Sequence, residues 1–180
     1  GLQLIFMPFL GGATLAEVLR ERRQRSRRPD RGLDLLADLD LCSAPEYSAA
    51  TGVRPAREML SSLSYPQAVA WIVARLAEAL DHAYRRGVTH GDLKPSNILI
   101  GGDGQPMLLD FNLSTDWHPA SPSRSSGELG GTLAYMAPER LQCLAEPESA
   151  SPPCPSARHQ ADLYALGLIL REALTGSPPE

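Results

Sequence analysis

A short polar segment, residues 90–97, constrains the fold most, because it lies between a long helix signal and a hairpin signal. Before it, apolar residues recur at helical spacing over residues 66–86, which predicts one amphipathic helix. After it come two apolar runs, residues 97–100 and 107–110, joined by the turn-forming sequence GGDGQP. Such a linker between two runs is typical of a β-hairpin. This order predicts an α+β fold that is mainly α-helical.

Helix start and stop signals give further boundaries. Ser64 can cap the long helix, Pro66 suits its first turn and Gly87 can end it. Residues 2–7 are predicted to form a buried strand, and a capping-box pattern predicts a helix from Thr14 through Leu19. A short helix is predicted near residues 33–39, with loop over the rest of 22–63. The last predicted helix, residues 160–174, is apolar almost all round and is therefore expected to be buried.

Composition excludes several classes of protein. A hydrophobic content of 43% supports a globular core, and a net charge of -4 gives no reason to expect a nucleic-acid partner. Three cysteines without CxxC or Cys/His spacing do not predict a disulfide framework or a zinc site, so a reducing, cytoplasmic location is expected. The sequence contains no membrane segment, since no apolar run reaches the length that a spanning helix needs.

Four polar side chains in and after the central segment suit phosphoryl transfer. Asp92 can orient an attacking hydroxyl and accept its proton, and Lys94 can offset charge on the transferred group. Asn97 and Asp110, thirteen residues apart, offer the hard oxygen donors that magnesium prefers. Because a loop that enters a hairpin can bring these residues to one rim, the spacing fits a single site. The alternative is that both aspartates are turn residues and Asn97 is a cap.

The sequence HGDLKPSNILI resembles the catalytic loop of protein kinases, and LLDFN resembles their metal-binding DFG motif. Residues 131–139, GTLAYMAPE, resemble the end of the activation segment, and residues 162–167, DLYALG, resemble the buried helix of the large lobe. The opening LIFMPFLGGATLAEVL resembles the last small-lobe strand, the hinge and the first large-lobe helix. The chain is thus similar to bacterial-looking, eukaryotic-like Ser/Thr protein kinases.

The resemblance implies a protein-kinase-like large lobe that is incomplete, with the small lobe absent apart from its last strand. Residues 1–12 would be that strand and the hinge, and residues 13–180 a partial large lobe with an insertion at about 22–63. It also implies ATP and Mg²⁺ as cofactors and Ser/Thr hydroxyls of proteins as substrates. The implied roles are Asp92 as catalytic base, Lys94 as the γ-phosphate cation, Asn97 and Asp110 as metal ligands, Met7 as gatekeeper, Pro8 and Leu10 at the adenine edge, Leu99 under the adenine ring, Thr132 in the activation segment, His90 and Phe111 in an apolar stack, and Asp162 beneath the catalytic loop.

Three departures from the family pattern limit these expectations. Gly91 replaces the arginine that pairs with an activation-loop phosphate, and Asn112 replaces the DFG glycine, although Asn is a tolerable substitute at positive φ. No Gly-rich phosphate loop precedes the hinge. The phosphate-anchoring strand lysine is missing as well, because Lys94 is the only lysine. The sequence therefore predicts a fragment that is inactive by itself. The alternatives are a pseudokinase scaffold, or a small-molecule kinase of the aminoglycoside phosphotransferase-like group, whose loop also reads H-G-D.

Overall fold

A computed structural model of the protein describes residues 11–43, 54–111, 133–145 and 155–179. Within these ranges the helices are α1 (Leu15–Gln24), α2 (Gly32–Cys42), α3 (Pro55–Ser62), α4 (Tyr65–Tyr84), α5 (Pro138–Ala145) and α6 (Pro155–Thr175). The strands are β1 (Ala13–Thr14), β2 (Ile98–Ile100) and β3 (Pro106–Leu108), which form one antiparallel sheet in the order β1-β2-β3. The predicted mainly helical α+β character is confirmed.

The long helix α4 has the start and stop signals that its sequence predicts, although it begins one residue before the predicted Pro66 and ends two residues before the predicted Arg86. At its start, the backbone N–H and the hydroxyl of Ser64 both donate to the side-chain oxygen of Gln67, at 3.0 and 2.9 Å. At its end, Gly87 takes a φ of 75° and its N–H donates to the carbonyl of Tyr84 at 2.8 Å. Glycine adopts this left-handed conformation at little cost, so the chain can turn away directly after the helix ends at Tyr84.

The capping box predicted at Thr14 is present and starts α1. The Thr14 N–H donates to the Glu17 carboxylate at 2.8 Å, and the Glu17 N–H donates to the Thr14 hydroxyl at 3.3 Å. The Thr14 hydroxyl also donates to the Glu17 carboxylate, at 2.7 Å. This bond, and then the bond from the Thr14 N–H, lower the pKa of Glu17 below its usual value, because both favour the charged carboxylate. The helix then continues to Gln24, beyond the predicted Leu19.

Helix α3 was not predicted, since the sequence analysis assigned residues 55–62 to a loop. Its buried stripe consists of only Ala56 and Leu60, which is too short a pattern to indicate a helix. The helix is stabilised by tertiary contact instead. The carbonyl of Leu60 lies so close to Gly32 that a Cβ at position 32 would be 1.9 Å from it. Helices α2 and α3 therefore pack so closely at Gly32 that no larger residue fits at this position.

The core forms where α4 packs against α2, α6 and strand β3. Its most buried members, with relative exposures of 2% or less, include Leu39, Leu60, Leu76, Ile98 and Ile169. Tyr65 contributes its ring to this core and donates its hydroxyl hydrogen to the carbonyl of Ala173 at 3.0 Å. The helices of the predicted insertion thus share one core with the helix that precedes the polar loop.

The expectation that the last helix is buried on all sides was wrong for one face of α6. Ala165, Leu166 and Ile169 are buried, whereas Leu163 and Tyr164 are each 43% exposed. Helix α6 packs its buried side against α4 and leaves the side chains of Leu163 and Tyr164 accessible. In the part of the chain that the structure describes, no helix is long and apolar enough to span a membrane.

The predicted hairpin follows the polar loop, with small differences at the strand ends. Strand β2 begins one residue later than predicted, whereas β3 begins one residue earlier and ends two residues earlier. Ile98 pairs with Leu108 and Ile100 with Pro106. The turn is closed by the Gly104 N–H, which donates to the Gly101 carbonyl at 2.8 Å. The predicted strand at residues 2–7 lies outside the described residues.

Candidate active site

The loop that carries Asp92, here called the Asp92 loop (residues 88–94), rests on a buried carboxylate of helix α6. Asp162, which is 2% exposed, accepts hydrogen bonds from the N–H of His90 at 2.8 Å and from the N–H of Gly91 at 2.9 Å. Loops rarely bury backbone donors without such partners. The predicted position of Asp162 beneath the loop is therefore confirmed, and the charge-assisted bonds hold the loop to the core.

His90 connects the Asp92 loop to the segment that carries Asp110. Its fully buried ring places Nε2 2.8 Å from the carbonyl of Leu109, and Nδ1 3.3 Å from the N–H of Asp92. Because a carbonyl only accepts, Nε2 carries the hydrogen and Nδ1 accepts from Asp92. The ring centroid lies 5.0 Å from that of Phe111. The predicted contact of His90 with Phe111 is therefore present.

Three of the predicted site residues meet at the carboxylate of Asp92. The Lys94 ammonium lies 3.1 Å from Asp92 Oδ2, and Asn97 Nδ2 donates to the Asp92 carbonyl at 2.7 Å and to Oδ2 at 3.4 Å. The side chains of Asp92 and Lys94 are only 14% and 23% exposed. A carboxylate with a cation and an amide at this distance is oriented and still partly accessible to a reactant.

Asn97 owes its position to a single turn of 3₁₀-helix, Pro95–Asn97, which leads directly into β2. The backbone carbonyl of Asn97 accepts a hydrogen bond from the N–H of Leu109 at 2.9 Å. Asp110 is the next residue after Leu109. The hairpin therefore brings the carboxylate-bearing residue back to the Asn97 end of the loop, as the sequence spacing predicts.

Asp110 has an unusual backbone conformation, with a φ of 54°. Among the described residues other than glycine it is alone in having a positive φ. Such conformations cost energy and concentrate at functional sites. The sequence analysis expected positive φ at Asn112 instead, and that residue lies outside the described part of the chain.

The oxygen donors at this rim fit magnesium. Asn97 uses its amide nitrogen in the bonds to Asp92, which leaves its amide oxygen available, and the Asp110 side chain is exposed. Magnesium is commonly held by one or two protein oxygen ligands together with phosphate and water. The described residues contain no group of three or more His, Cys, Asp or Glu that could hold a metal by themselves. The donor set thus suits a magnesium ion that arrives with a nucleotide.

The remaining predicted site residues are only partly described. Leu99 is half-buried and pairs with Thr14 and Met107, on the opposite face of the sheet from the fully buried Ile98 and Ile100. The sites predicted at Met7, Pro8, Leu10 and Thr132 lie outside the described residues.

A second polar cluster was missed by the sequence analysis. Glu172 on α6, which is 3% exposed, accepts from the Tyr135 hydroxyl at 2.6 Å and from Arg23 Nη1 at 2.8 Å. Burial, and then the hydrogen bond to Glu172, raise the pKa of Tyr135 well above its usual value, so the phenol keeps its proton. The only sequence signal was a charged residue at position 172 within an apolar helix.

Arg140 was also missed, and it contacts the Asp92 loop directly. Its Nη1 donates to the carbonyl of Gly91. Arg140 lies in a small cleft that is also lined by Asp92, Tyr135 and Asp162. No periodicity or spacing links position 140 to position 91, because the contact spans 49 residues of sequence.

Comparison with known proteins agrees with this geometry. The family described as "Protein kinase domain" matches residues 48–180. The Mycobacterium tuberculosis (strain ATCC 25618 / H37Rv) serine/threonine-protein kinases PknE and PknH are 43% and 40% identical to the chain over 120 residues. PknD of M. tuberculosis (strain CDC 1551 / Oshkosh) is 36% identical over 129 residues. These alignments cover 65%, 65% and 72% of this chain, but only 18%, 17% and 18% of the respective relatives. Since the family match covers more than half of the sequence and includes the whole Asp92 site, this chain belongs to the protein kinase domain family.

Proposed function

We propose that the full-length protein transfers the γ-phosphoryl group of ATP to Ser or Thr hydroxyls of protein substrates. The observation that carries the proposal is the cluster at Asp92, whose carboxylate contacts both Lys94 and Asn97. A phosphoryl-transfer site needs a base that aims the hydroxyl and a cation that offsets developing charge, and catalysis there is mostly positioning and electrostatics. The names of the relatives support Ser/Thr as the acceptor.

In this proposal Asp92 accepts the proton of the attacking hydroxyl. The bond from Asn97 to Oδ2 and the contact with Lys94 orient its carboxylate. Lys94 then faces the transferred group and stabilises its charge. Magnesium, when bound with ATP, would be held by Asn97 and Asp110 and would neutralise phosphate charge.

We assign the described helices to the large lobe of the kinase fold, and residues 1–12 to the last small-lobe strand and the hinge. In this assignment Leu99 lies under the adenine ring. Met7, Pro8 and Leu10 form the hinge contacts and Thr132 belongs to the activation segment. The half-buried position of Leu99, on the sheet face away from Ile98 and Ile100, supports its part of the assignment.

The test is an Asp92→Asn substitution in the full-length protein, with transfer from radiolabelled ATP to a general protein substrate as the measurement. General-base catalysis contributes about 10²–10⁴-fold, so the rate should fall by that factor. Asp81→Asn is the matched control, because Asp81 is half exposed and, within the described ranges, its side chain pairs only with Arg85 on the helix surface. Transfer that is unaffected by Asp92→Asn would refute the proposal. Transfer to an aminoglycoside but not to protein would favour the small-molecule alternative.

A further inference from the structure

We infer that Arg140 is a positioning residue for Asp92, an inference that rests on the proposed function. Arg140 lies on helix α5, and its guanidinium donates to the carbonyl of Gly91, the residue directly before Asp92. Gly91 has no side chain with which to anchor the loop, so only its backbone can be held.

The two peptide groups that flank Gly91 are held by three separate partners. The N–H of Gly91 donates to Asp162, and its carbonyl accepts from Arg140. The N–H of Asp92 donates to His90 Nδ1 at 3.3 Å. The carbonyl of Gly91 and the N–H of Asp92 belong to the same planar peptide group. Arg140 and His90 therefore determine the orientation of the peptide to which the Asp92 Cα is attached.

The charges around Gly91 favour this arrangement. A carboxylate accepts the N–H on one side of the residue, while a guanidinium donates to the carbonyl on the other. Bonds to charged groups are stronger than neutral ones. Gly91 has a φ of 77°, a left-handed conformation that glycine adopts readily. Without Arg140, the peptide between Gly91 and Asp92 would be held only by the longer bond to His90, so it could rotate more easily.

Helix α5 begins at Pro138, within the GTLAYMAPE motif, so the bond also joins that motif to the Asp92 loop. The segment that carries Thr132 and the loop that carries the proposed base are thus connected through one side chain. A misplacement of about 1 Å at a reacting group can reduce the rate about 100-fold. Arg140 is therefore expected to affect the rate of transfer more than the binding of ATP.

The experiment compares Arg140→Ala, Arg140→Lys and the control Arg171→Ala in the full-length protein. Arg171 is exposed on α6, and its bond to Thr175 uses only its backbone carbonyl. With magnesium-ATP and a general protein substrate, Arg140→Ala should lower kcat about 10- to 100-fold, with the KM for ATP changed less than about twofold. Arg140→Lys, which keeps a charged donor, should recover part of kcat, and Arg171→Ala should match the wild type.

Hydrogen exchange provides a readout that does not depend on activity. Exchange in peptides covering residues 88–94 should be faster in Arg140→Ala, while exchange in α4 stays unchanged. Unchanged kcat in Arg140→Ala, in a protein that Asp92→Asn inactivates, would overturn this inference and leave the proposed function standing. Unchanged exchange at residues 88–94 would overturn it as well. If the wild type shows no Asp92-dependent transfer, the proposed function fails and the catalytic role of Arg140 fails with it.

Discussion

Removal of the Asp162 carboxylate should release the Asp92 loop. In Asp162→Ala the N–H groups of the fully buried His90 and the partly buried Gly91 lose an acceptor that is itself only 2% exposed. A hydrogen bond to a charged group contributes about 1.5–3 kcal/mol, so loss of both bonds should cost about 3–6 kcal/mol. In Asp162→Asn one oxygen remains as acceptor and the amide nitrogen faces the second N–H, so about half of that cost is expected.

These energies convert directly into exchange rates. Since about 1.4 kcal/mol corresponds to a tenfold change, the amides of His90 and Gly91 should exchange about 10²–10⁴-fold faster in Asp162→Ala, and about 10- to 100-fold faster in Asp162→Asn. The assay is hydrogen exchange of the full-length protein, read in peptides over residues 88–94. Asp81→Asn is the control, because exposed helix pairs such as Asp81 with Arg85 contribute only about 0.3–0.5 kcal/mol. An increase in Asp162→Ala no larger than in the control would refute the assigned role of these two bonds.

Two further predictions concern buried polar groups away from the Asp92 loop. Burial raises the pKa of Tyr65 to about 12 from an ordinary value of 10.0, so between these values only the unfolded chain loses this proton and stability falls as pH rises. Between pH 9 and pH 11 this effect should lower the free energy of unfolding of the wild type by about 1.4 kcal/mol. In urea unfolding, the loss of stability over this pH range should therefore be about 1.4 kcal/mol smaller in Tyr65→Phe than in the wild type. An equal loss in both proteins would contradict the prediction. Asp38 lies 2.7 and 3.3 Å from the guanidinium groups of Arg25 and Arg22 and is buried, so Asp38→Ala should destabilise the fold by about 3–5 kcal/mol. The same substitution at the exposed Asp30 should cost less than about 1 kcal/mol in urea unfolding, and similar losses at the two positions would disprove this assignment.

Elements with strong local signals were predicted well. Helix α4 has a polar cap, an apolar stripe of several turns and a glycine stop, and all of these act within a few residues of one another. The hairpin follows equally from its turn and its two apolar runs. Helix α3 lacks such signals, because only Ala56 and Leu60 mark its buried side, and its place depends on contacts with α2.

In the candidate site, too, some features follow from local sequence and others only from the tertiary structure. The sequence alone determined the chemical groups and their order, because Asp92, Lys94 and Asn97 lie on one short loop and a hairpin of predictable length returns Asp110 to it. Only the tertiary structure revealed the bond from Arg140 to Gly91 and the cluster of Tyr135, Arg23 and Glu172. Local signals act over a few residues, whereas these contacts join residues that are 37 to 149 positions apart in the chain. Such partners are selected by the packing of whole helices, and no short stretch of sequence specifies that packing.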